Sequence, residues 1–257
     1  MVINFISGGH TGDLIHELYI VKNICNQNQD VSNLYIADRS YNINQCIDFS
    51  FNLDKVYNDT KDLIKSQSYI NDYQIFPKNF NEPIINISDW RNNLQYIYCW
   101  TDLLSIHYQI NPPEEYKWIN IEKIDPNTVG KILIHHSGRR FNHEFNWGIL
   151  SNTEKDILFI TSDIREWEIF KFKNEKIKPY LVSTVSEMAT AINSCDLFIG
   201  NQSLPFAIAC SLDKPRICEL EYPSAMFYMN EKNYSENISW YLNDNIKYNS
   251  EKIEIKV

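Results

Sequence analysis

The 257-residue chain lacks several features that would assign it directly to a functional class. Basic residues are not in excess: 24 lysines and arginines face 33 aspartates and glutamates, and the net charge of −9 argues against a nucleic-acid partner. No apolar run approaches the roughly 20 residues of a membrane span, and the first residues are typical of a strand rather than a signal peptide. We therefore expect a cytoplasmic protein without a membrane span.

Cysteine pairs at metal-ligand or redox spacing are also missing. The six cysteines include no C-x-x-C motif, which argues against a zinc site. Cys195, Cys210 and Cys218 lie in or beside segments that we predict to be buried. We expect reduced, buried thiols of an intracellular protein rather than a disulfide framework.

The short motifs of several enzyme classes are absent as well. The chain has neither the G-x-G-x-x-G dinucleotide fingerprint nor the lysine of a phosphate-binding P-loop, and it has no G-x-S-x-G nucleophile elbow. It also has no D-x-D motif, which is compatible with a site that works without a metal ion. Any chemistry must therefore reside in other arrangements of residues.

What the sequence does contain is a regular alternation of strand and helix signals. Short apolar runs alternate with segments whose apolar residues recur at helical spacing, as at Leu14, Leu18 and Val21. This alternation predicts an α/β fold with parallel sheets covered by helices. The predicted strands cover residues 2–6, 34–37, 131–136, 156–161, 180–182 and 197–200 and a run ending at Glu219; predicted helices lie near 14–25, 60–69, 94–104 and 186–194, before Phe170, and around Ala207.

The length favours two lobes of roughly 120–130 residues each. The boundary falls near Asn111-Pro112-Pro113 and the charged stretch after it, which predicts an N-terminal lobe of residues 1–120 and a C-terminal lobe of residues 121–257. Residues 40–90 are polar, aromatic and irregular. After residue 221 we expect a terminal helix and then a loose tail from residue 247.

A glycine-rich turn, Ser7-Gly8-Gly9-His10-Thr11-Gly12-Asp13, follows the first predicted strand. Its glycines let the backbone approach a ligand closely and direct N–H groups toward the space between the lobes. Asp13 lies on the first turn of the next helix, where it could deprotonate a hydroxyl group of an acceptor. Alternatively, Thr11 or Asp13 merely caps that helix.

A second polar loop follows the strand at 131–136 and contains the only pair of adjacent arginines, Arg139-Arg140. Guanidinium groups bind phosphate oxygens through paired hydrogen bonds, so this loop favours a diphosphate, with Asn142 holding an adjacent phosphate or sugar oxygen. The alternative is a solvated, charged loop. Its position at the end of a strand, where open α/β sheets bind ligands, favours the binding site.

Two further clusters of polar residues favour structural roles. His135, His136 and His143 suggest zinc, but no cysteine or further carboxylate stands at ligand spacing, so we predict no metal site. In the segment after the strand at 156–161, Asp163 is a good helix N-cap, which Glu166 could complete as a capping box.

The most informative segment spans residues 196–219. A short apolar strand ends at Gly200, and Asn201, Gln202 and Ser203 open an alanine-rich helix. The N–H groups and partial positive charge of a helix N-terminus attract an anion. Glu219, at the end of the next strand, could bind a ribose hydroxyl. Together these residues predict a nucleotide that carries a diphosphate.

Gly12-Asp13-Leu-Ile-His16 resembles the opening of ADP-heptose:lipopolysaccharide heptosyltransferase-like enzymes. Residues 199–205, followed by the alanine-rich helix, resemble the C-terminal motif of that group and of short glycosyltransferase-like proteins of phages and large viruses. Residues 139–147 and 162–167 also look like those viral proteins. The histidine of the group's Asp-x-Gly-x-x-His motif has no counterpart here, so the resemblance does not imply a heptose donor.

The resemblance implies a GT-B fold, in which two Rossmann-like lobes enclose a cleft between an acceptor and a nucleotide-sugar donor. It implies that Asp13 is the general base and that Ser162 lies near the nucleoside. His10 is a second catalytic candidate. The resemblance further implies contacts with the diphosphate and ribose from Arg139, Arg140, Asn201, Gln202, Ser203 and Glu219. Gly9, Gly12 and Asn142, singled out above from their own loops, complete the candidate nucleotide-sugar contacts.

The leading hypothesis is a metal-independent, inverting transfer of a sugar from a nucleotide-diphosphate sugar to a hydroxyl group of a glycan acceptor, with no cofactor beyond the donor. Asp13 would take the proton, and the arginine pair and helix dipole would stabilise the leaving diphosphate. Two alternatives stay open: a nucleotide-sugar epimerase of the same fold, using His10 or Glu144 as a further acid or base, and a non-catalytic nucleotide- or glycan-binding module. The oligomeric state is open too.

Overall fold

The computed structural model describes residues 1–8, 10–37, 52–90, 100–111, 117–138, 142–143, 145–219 and 238–241. Within them the chain forms two sheets in which all strand pairings are parallel. This confirms the predicted α/β class with two Rossmann-like lobes. The strands are β1 (Val2–Ser7), β2 (Val31–Ile36), β3 (Ile70–Ile75), β4 (Ile85–Asn86), β5 (Ile132–His135), β6 (Ile157–Thr161), β7 (Ile177–Leu181), β8 (Leu197–Asn201), β9 (Arg216–Glu219) and β10 (Ile238–Tyr241).

Helices connect these strands and cover the sheets. The longest described helix, α1, buries the apolar residues whose spacing predicts it, including Leu14, Leu18 and Val21, and it ends where Gln29 adopts a left-handed conformation with φ 56°. The helices are α1 (Thr11–Asn28), α2 (Leu53–Lys65), α3 (Trp100–His107), α4 (Ile164–Ile169), α5 (Val185–Ser194) and α6 (Leu204–Ser211), with a 3₁₀ helix at Trp147–Asn152.

Both sheets follow the strand order of a dinucleotide-binding fold. The first sheet has the order β3-β2-β1-β4, and the second has the order β10-β9-β8-β5-β6-β7. In each sheet the order reverses next to the strand that comes first along the chain, between β1 and β4 and between β5 and β8. Such switch points leave a crevice at the carboxyl ends of the strands, where open α/β sheets bind ligands. The fold therefore offers one crevice in each lobe.

The two lobes share a continuous apolar core. Phe5 of the first sheet and Leu133 of the second belong to the same cluster of buried residues, and α1 packs against α6 while α2 packs against α5. Trp118, between the lobes, donates its indole N–H to the carbonyl of Ile15 in α1 and its backbone N–H to the carbonyl of Ser211 in α6 (2.7 and 2.9 Å). The connecting segment thus binds both central helices.

The strands of the first sheet lie within residues 2–86 and those of the second within residues 132–241. The exact boundary at residue 120 stays a prediction. No helix in the described ranges is long and apolar enough to cross a membrane. Cys25, Cys195, Cys210 and Cys218 are buried free thiols, as expected, whereas Cys46 and Cys99 lie outside the described residues.

Three expectations about the elements were wrong. Residues 52–90 are not irregular: they contain β3, and their helix α2 covers Leu53–Lys65 rather than 60–69. In β3 the buried residues are Ile70 and Tyr73, which lack the strict alternation of a half-buried strand. Residues 238–241, which fall in the segment expected to form a terminal helix, instead form β10, because this β-branched and aromatic run adds a strand beside β9. The rest of the segment after residue 221, with the expected tail from residue 247, lies outside the described residues.

Candidate functional site

The two switch points meet between the lobes. Gly12, on the first turn of α1, lies against Leu204, the first residue of α6: a β-carbon on Gly12 would lie 3.7 Å from the Leu204 Cα. The carboxyl ends of β1 and β8, which lead into these helices, therefore lie in the same region. Two helix N-termini converge there, and each presents N–H groups and a partial positive charge. An anion at this junction would be stabilised from both lobes.

On the first lobe, the junction is formed by the start of α1. His10 is its N-cap, and Asp13 accepts a hydrogen bond from the His10 backbone N–H (3.4 Å) as part of a capping box. Asp13 is half-buried, so its carboxylate also borders solvent. The capping interpretation of Asp13 is therefore confirmed, while its role as a base stays a prediction. Gly9 lies outside the described residues.

Glu17, on the next turn of α1, is fully buried behind the glycine turn. Its carboxylate accepts hydrogen bonds from the hydroxyl of Ser7 at the end of β1 (2.5 Å), the hydroxyl of Ser88 just after β4 (2.8 Å) and the indole N–H of Trp90 (3.0 Å). Ser88 Oγ in turn accepts the backbone N–H of Gly8 (2.9 Å). Glu17 has no local sequence signal, because its partners Ser88 and Trp90 are distant along the chain.

His16 lies one turn below Asp13 and is also fully buried. Burial lowers its pKa from 6.5 to about 4; the nearby Asp13 carboxylate acts in the opposite direction, and the Arg216 guanidinium lowers the pKa further. His16 is therefore neutral at physiological pH. It packs at an angle against Trp118, with 6.2 Å between ring centroids. This histidine thus contributes to the inter-lobe core rather than to solvent-exposed proton transfer.

On the second lobe, Asn201 joins the two strands of the switch point. Its buried side-chain amide donates a hydrogen bond to the Ser137 carbonyl (2.7 Å) and accepts one from the Ser137 backbone N–H (3.2 Å). Gly200 precedes it, where β8 runs so close to β5 that a β-carbon would lie 2.8 Å from the His135 carbonyl oxygen. Asn201 thereby holds the loop that follows β5, and its predicted contact with a diphosphate stays a prediction.

Glu219 at the end of β9 connects to the same loop. Its carboxylate, 1% exposed, accepts hydrogen bonds from His136 Nδ1 (2.7 Å) and from the backbone N–H of Asn142 (3.0 Å). Three of the residues that we expected to border the nucleotide, Asn142, Asn201 and Glu219, are thus brought together around this loop. Glu219 thereby holds this loop against the end of β9, and its predicted contact with a ribose hydroxyl stays a prediction.

The remaining donor-side candidates border the same strand ends. Ser203 is the N-cap of α6 and donates its hydroxyl to the Asn201 carbonyl (3.1 Å), while Gln202 is buried beside it. Ser162 is exposed immediately after β6, the neighbour of β5. Arg139 and Arg140, the predicted phosphate ligands, lie outside the described residues. Their predicted role stays a prediction.

The segment after β6 acts as a helix cap. Asp163 is the N-cap of α4 and accepts the backbone N–H of Arg165 (3.0 Å), as predicted. Glu166 does not complete a capping box in the described contacts: it accepts the hydroxyl of Thr161 instead (2.5 Å). The reason is that the Thr161 side chain stands between Glu166 and the start of the helix, where its Oγ1 accepts the Asp163 N–H.

Two of the three histidines that suggested zinc have other partners. His136 pairs with Glu219, and buried His135 donates its Nδ1 hydrogen to the Ile160 carbonyl (2.9 Å). Burial lowers the pKa of His135, which keeps this ring neutral. In the part of the chain that the structure describes, no three histidine, cysteine or acidic side chains are grouped to hold a metal ion.

No protein-family model and no curated protein sequence matches the chain. Solved structures do match its fold. The structure "E. coli heptosyltransferase WaaC with ADP" has a TM-score of 0.58 at 9% identity over 93% of this chain and 92% of that one. A glycosyl transferase of family 9 from Veillonella parvula DSM 2008 has a TM-score of 0.55 at 10% identity, over 93% and 86%.

The bacterial iron-containing dodecameric glycosyltransferase TibC from enterotoxigenic E. coli H10407 has a TM-score of 0.61 at 12% identity. That match covers 95% of this chain but only 63% of TibC. At such identities the likeness concerns architecture. The fold of this chain is thus the GT-B-like fold of the heptosyltransferases, as the resemblance of its sequence motifs implied.

Proposed function

We propose that this protein is a glycosyltransferase that moves a sugar from a nucleotide-diphosphate sugar to a hydroxyl group of a glycan acceptor. The observation that carries the proposal is the contact between Gly12 and Leu204, which brings the N-termini of α1 and α6 together at two facing switch points. A diphosphate held at α6 would place its sugar beside the first turn of α1. Asp13 stands on that turn.

The proposed reaction needs one base and one site for the departing charge. The acceptor oxygen attacks the anomeric carbon while its proton passes to the Asp13 carboxylate. The bond from the anomeric carbon to the diphosphate breaks, and the nucleoside diphosphate leaves with the bonding electrons. Attack from the side opposite the diphosphate inverts the anomeric centre. Helix N-termini stabilise the negative charge that develops on the leaving group.

The donor would lie across the carboxyl ends of β5, β8 and β9. We propose that Glu219 binds the ribose, that Ser162 borders the nucleoside and that the N-terminus of α6 binds phosphate. Arg139 and Arg140 would supply positive charge to the diphosphate. We propose that these groups replace a metal ion; since the similar TibC is described as iron-containing, this point needs its own test.

A nucleotide screen tests the donor assignment. Thermal unfolding is followed with UDP, GDP, ADP and CMP and with their common sugar conjugates, each with and without EDTA. We expect a selective rise in melting temperature with one nucleoside diphosphate and its sugar, because ligands that bind only the folded state stabilise it. EDTA should not change this rise. If none of the nucleotides stabilises the protein, the chain is a glycan-binding module instead; if EDTA abolishes the rise, a metal holds the diphosphate.

A further inference from the structure

We infer that Glu17 is the positioning residue of the acceptor-side site, because it fills the switch-point crevice of the first lobe and anchors the glycine turn that leads to Asp13. This inference rests on the proposed function, in which Asp13 is the base. It concerns a residue that does not touch the reacting atoms. Its basis is the hydrogen-bond network of Glu17, Ser7, Ser88 and Trp90.

The network joins the two strands that flank the crevice. Ser7 is the last residue of β1, and Ser88 follows β4 by two residues. Both hydroxyls donate to the same buried carboxylate, one to each oxygen. The crevice between the ends of β1 and β4, which is open in other folds of this kind, is therefore occupied here by these side chains. The acceptor lobe thus has a filled switch point, and its ligand must lie above this layer, toward the N-terminus of α1.

The network reaches the backbone of the turn through Ser88. Ser88 Oγ accepts the Gly8 N–H, so the first glycine of the turn is tied to Glu17 through a single hydroxyl. Glu17 also lies four residues after Asp13, on the same helix face. The Glu17 side chain therefore constrains the start of the glycine turn, and Glu17 itself lies on the helix that carries the base.

The segment after β4 is held from its other side by Tyr108. The Tyr108 hydroxyl donates to the Asn86 carbonyl (2.9 Å) and accepts the backbone N–H of Trp90 (3.4 Å). Burial, together with the nearby Glu17 and Asp89 carboxylates, raises the pKa of Tyr108, so it remains a neutral donor. Ser88 and Trp90 are consequently presented to Glu17 in fixed positions. An aspartate at position 17, one methylene shorter, would not span from Ser7 to Trp90.

The test compares two buried serines of the same lobe. Ser88→Ala removes the link from Glu17 to Gly8. The control, Ser32→Ala, removes the buried hydroxyl that donates to the Tyr69 carbonyl (2.8 Å) at the opposite end of the sheet. Hydrogen exchange is measured on peptides that cover residues 8–14 in both variants and in wild type. We expect exchange to accelerate roughly tenfold in Ser88→Ala alone, because the turn loses its anchor.

Kinetics supply the second readout. A base that is misplaced by about 1 Å can lose as much as two orders of magnitude in rate. We therefore expect kcat to fall about 10- to 100-fold in Ser88→Ala while the Kd for the nucleoside diphosphate found in the screen stays as in wild type. Ser32→Ala should keep the wild-type kcat. Equal loss of kcat in both variants, or unchanged exchange in Ser88→Ala, would overturn the inference.

Glu17→Leu provides a variant of comparable side-chain volume. Leucine accepts no hydrogen bonds, so the links from Ser7, Ser88 and Trp90 all break even if the fold is retained. We expect the same pattern of faster exchange at residues 8–14 and lower kcat. If wild-type protein transfers no sugar, the proposed function fails, but the exchange measurements still decide whether Glu17 anchors the turn.

Discussion

Gly200 in β8 lies so close to His135 in β5 that a β-carbon on Gly200 would be 2.8 Å from the His135 carbonyl oxygen. The same β-carbon would lie 2.9 Å from Cε1 of the Phe198 ring. Because these neighbours are a strand backbone and a fully buried ring, neither can move cheaply. The close approach draws together the strands that flank the donor-side switch point, directly below the pair formed by Asn201 and Ser137.

Replacing Gly200 should therefore cost much more than replacing Gly12. We expect Gly200→Ala to lower the free energy of unfolding by about 1–3 kcal/mol, the range for overpacking a buried site. Gly12→Ala should be nearly neutral, because its β-carbon would make only ordinary contact with Leu204, at 3.7 Å. Urea unfolding of both variants checks this comparison. Equal destabilisation of the two variants would show that the N-termini of α1 and α6 are packed more tightly than in this structure.

Replacing Asn201 by aspartate, which has the same shape, should destabilise the protein. Asn201→Asp keeps the acceptor that receives the Ser137 N–H but loses the donor that reaches the Ser137 carbonyl. Leaving that buried carbonyl without its donor should cost about 1–3 kcal/mol of unfolding free energy. Ser203→Ala, at the half-buried neighbouring cap, should cost less. Urea unfolding separates the two, and similar losses would argue against the Asn201–Ser137 pair as the main connection.

The stability of the protein should fall between neutral pH and pH 4. The pKa of His16 is about 4 in the folded state because of burial and 6.5 when the residue is unperturbed. Below pH 6.5 the unfolded chain therefore binds a proton that the folded chain does not, so acid favours unfolding until the pH approaches 4. The contribution is roughly 1.4 kcal/mol per pH unit within this window.

His16→Leu removes this proton uptake. The free energy of unfolding, measured by urea titration at several pH values from 4.5 to 7.5, should depend less steeply on pH in the variant than in wild type. Some slope will remain, because burial also lowers the pKa of His135 and acts in the same direction. Identical slopes in the variant and in wild type would mean that His16 is not buried as a neutral ring.

Arg140→Ala tests the charged loop after β5. We expect it to weaken binding of the nucleoside diphosphate by about 1–3 kcal/mol, the scale of a hydrogen bond between charged groups. Lys65→Ala is a control that removes one positive charge from the other lobe, where Lys65 pairs with Asp72. Calorimetric titration gives both affinities. Wild-type affinity in Arg140→Ala would remove the loop from the donor site.

The parts of the fold that sequence predicts well are those in which one local pattern is sufficient. β5, β6 and β8 are buried and mostly apolar runs followed by polar turns, β1 ends in four buried residues before the glycine turn, and α1 has unbroken helical spacing. β3 was missed because its buried positions do not alternate. Its pairing with β2 includes an irregular register next to Ser32, which local patterns cannot reveal.

The residues of the candidate site also differ in how well the sequence predicts them. Asp13, Asn201 and Glu219 could be singled out from sequence because each follows a glycine turn or a strand end. Glu17 could not, because its partners Ser88 and Trp90 lie 71 and 73 residues away along the chain. Within a helix a buried glutamate looks like any polar position until the β1–β4 pairing brings its hydrogen-bond donors together.

The most direct test of the central claim is the rate at which Asp13→Asn releases nucleoside diphosphate from the sugar nucleotide found in the screen. Asparagine can still accept the His10 N–H, so the helix cap is retained, and Asp59→Asn controls for the same chemical change at an exposed ion pair on α2. We predict that turnover falls about 10²- to 10⁴-fold in Asp13→Asn with unchanged nucleotide affinity, and stays at the wild-type rate in Asp59→Asn. Turnover at the wild-type rate in Asp13→Asn would contradict the assignment of Asp13 as the base.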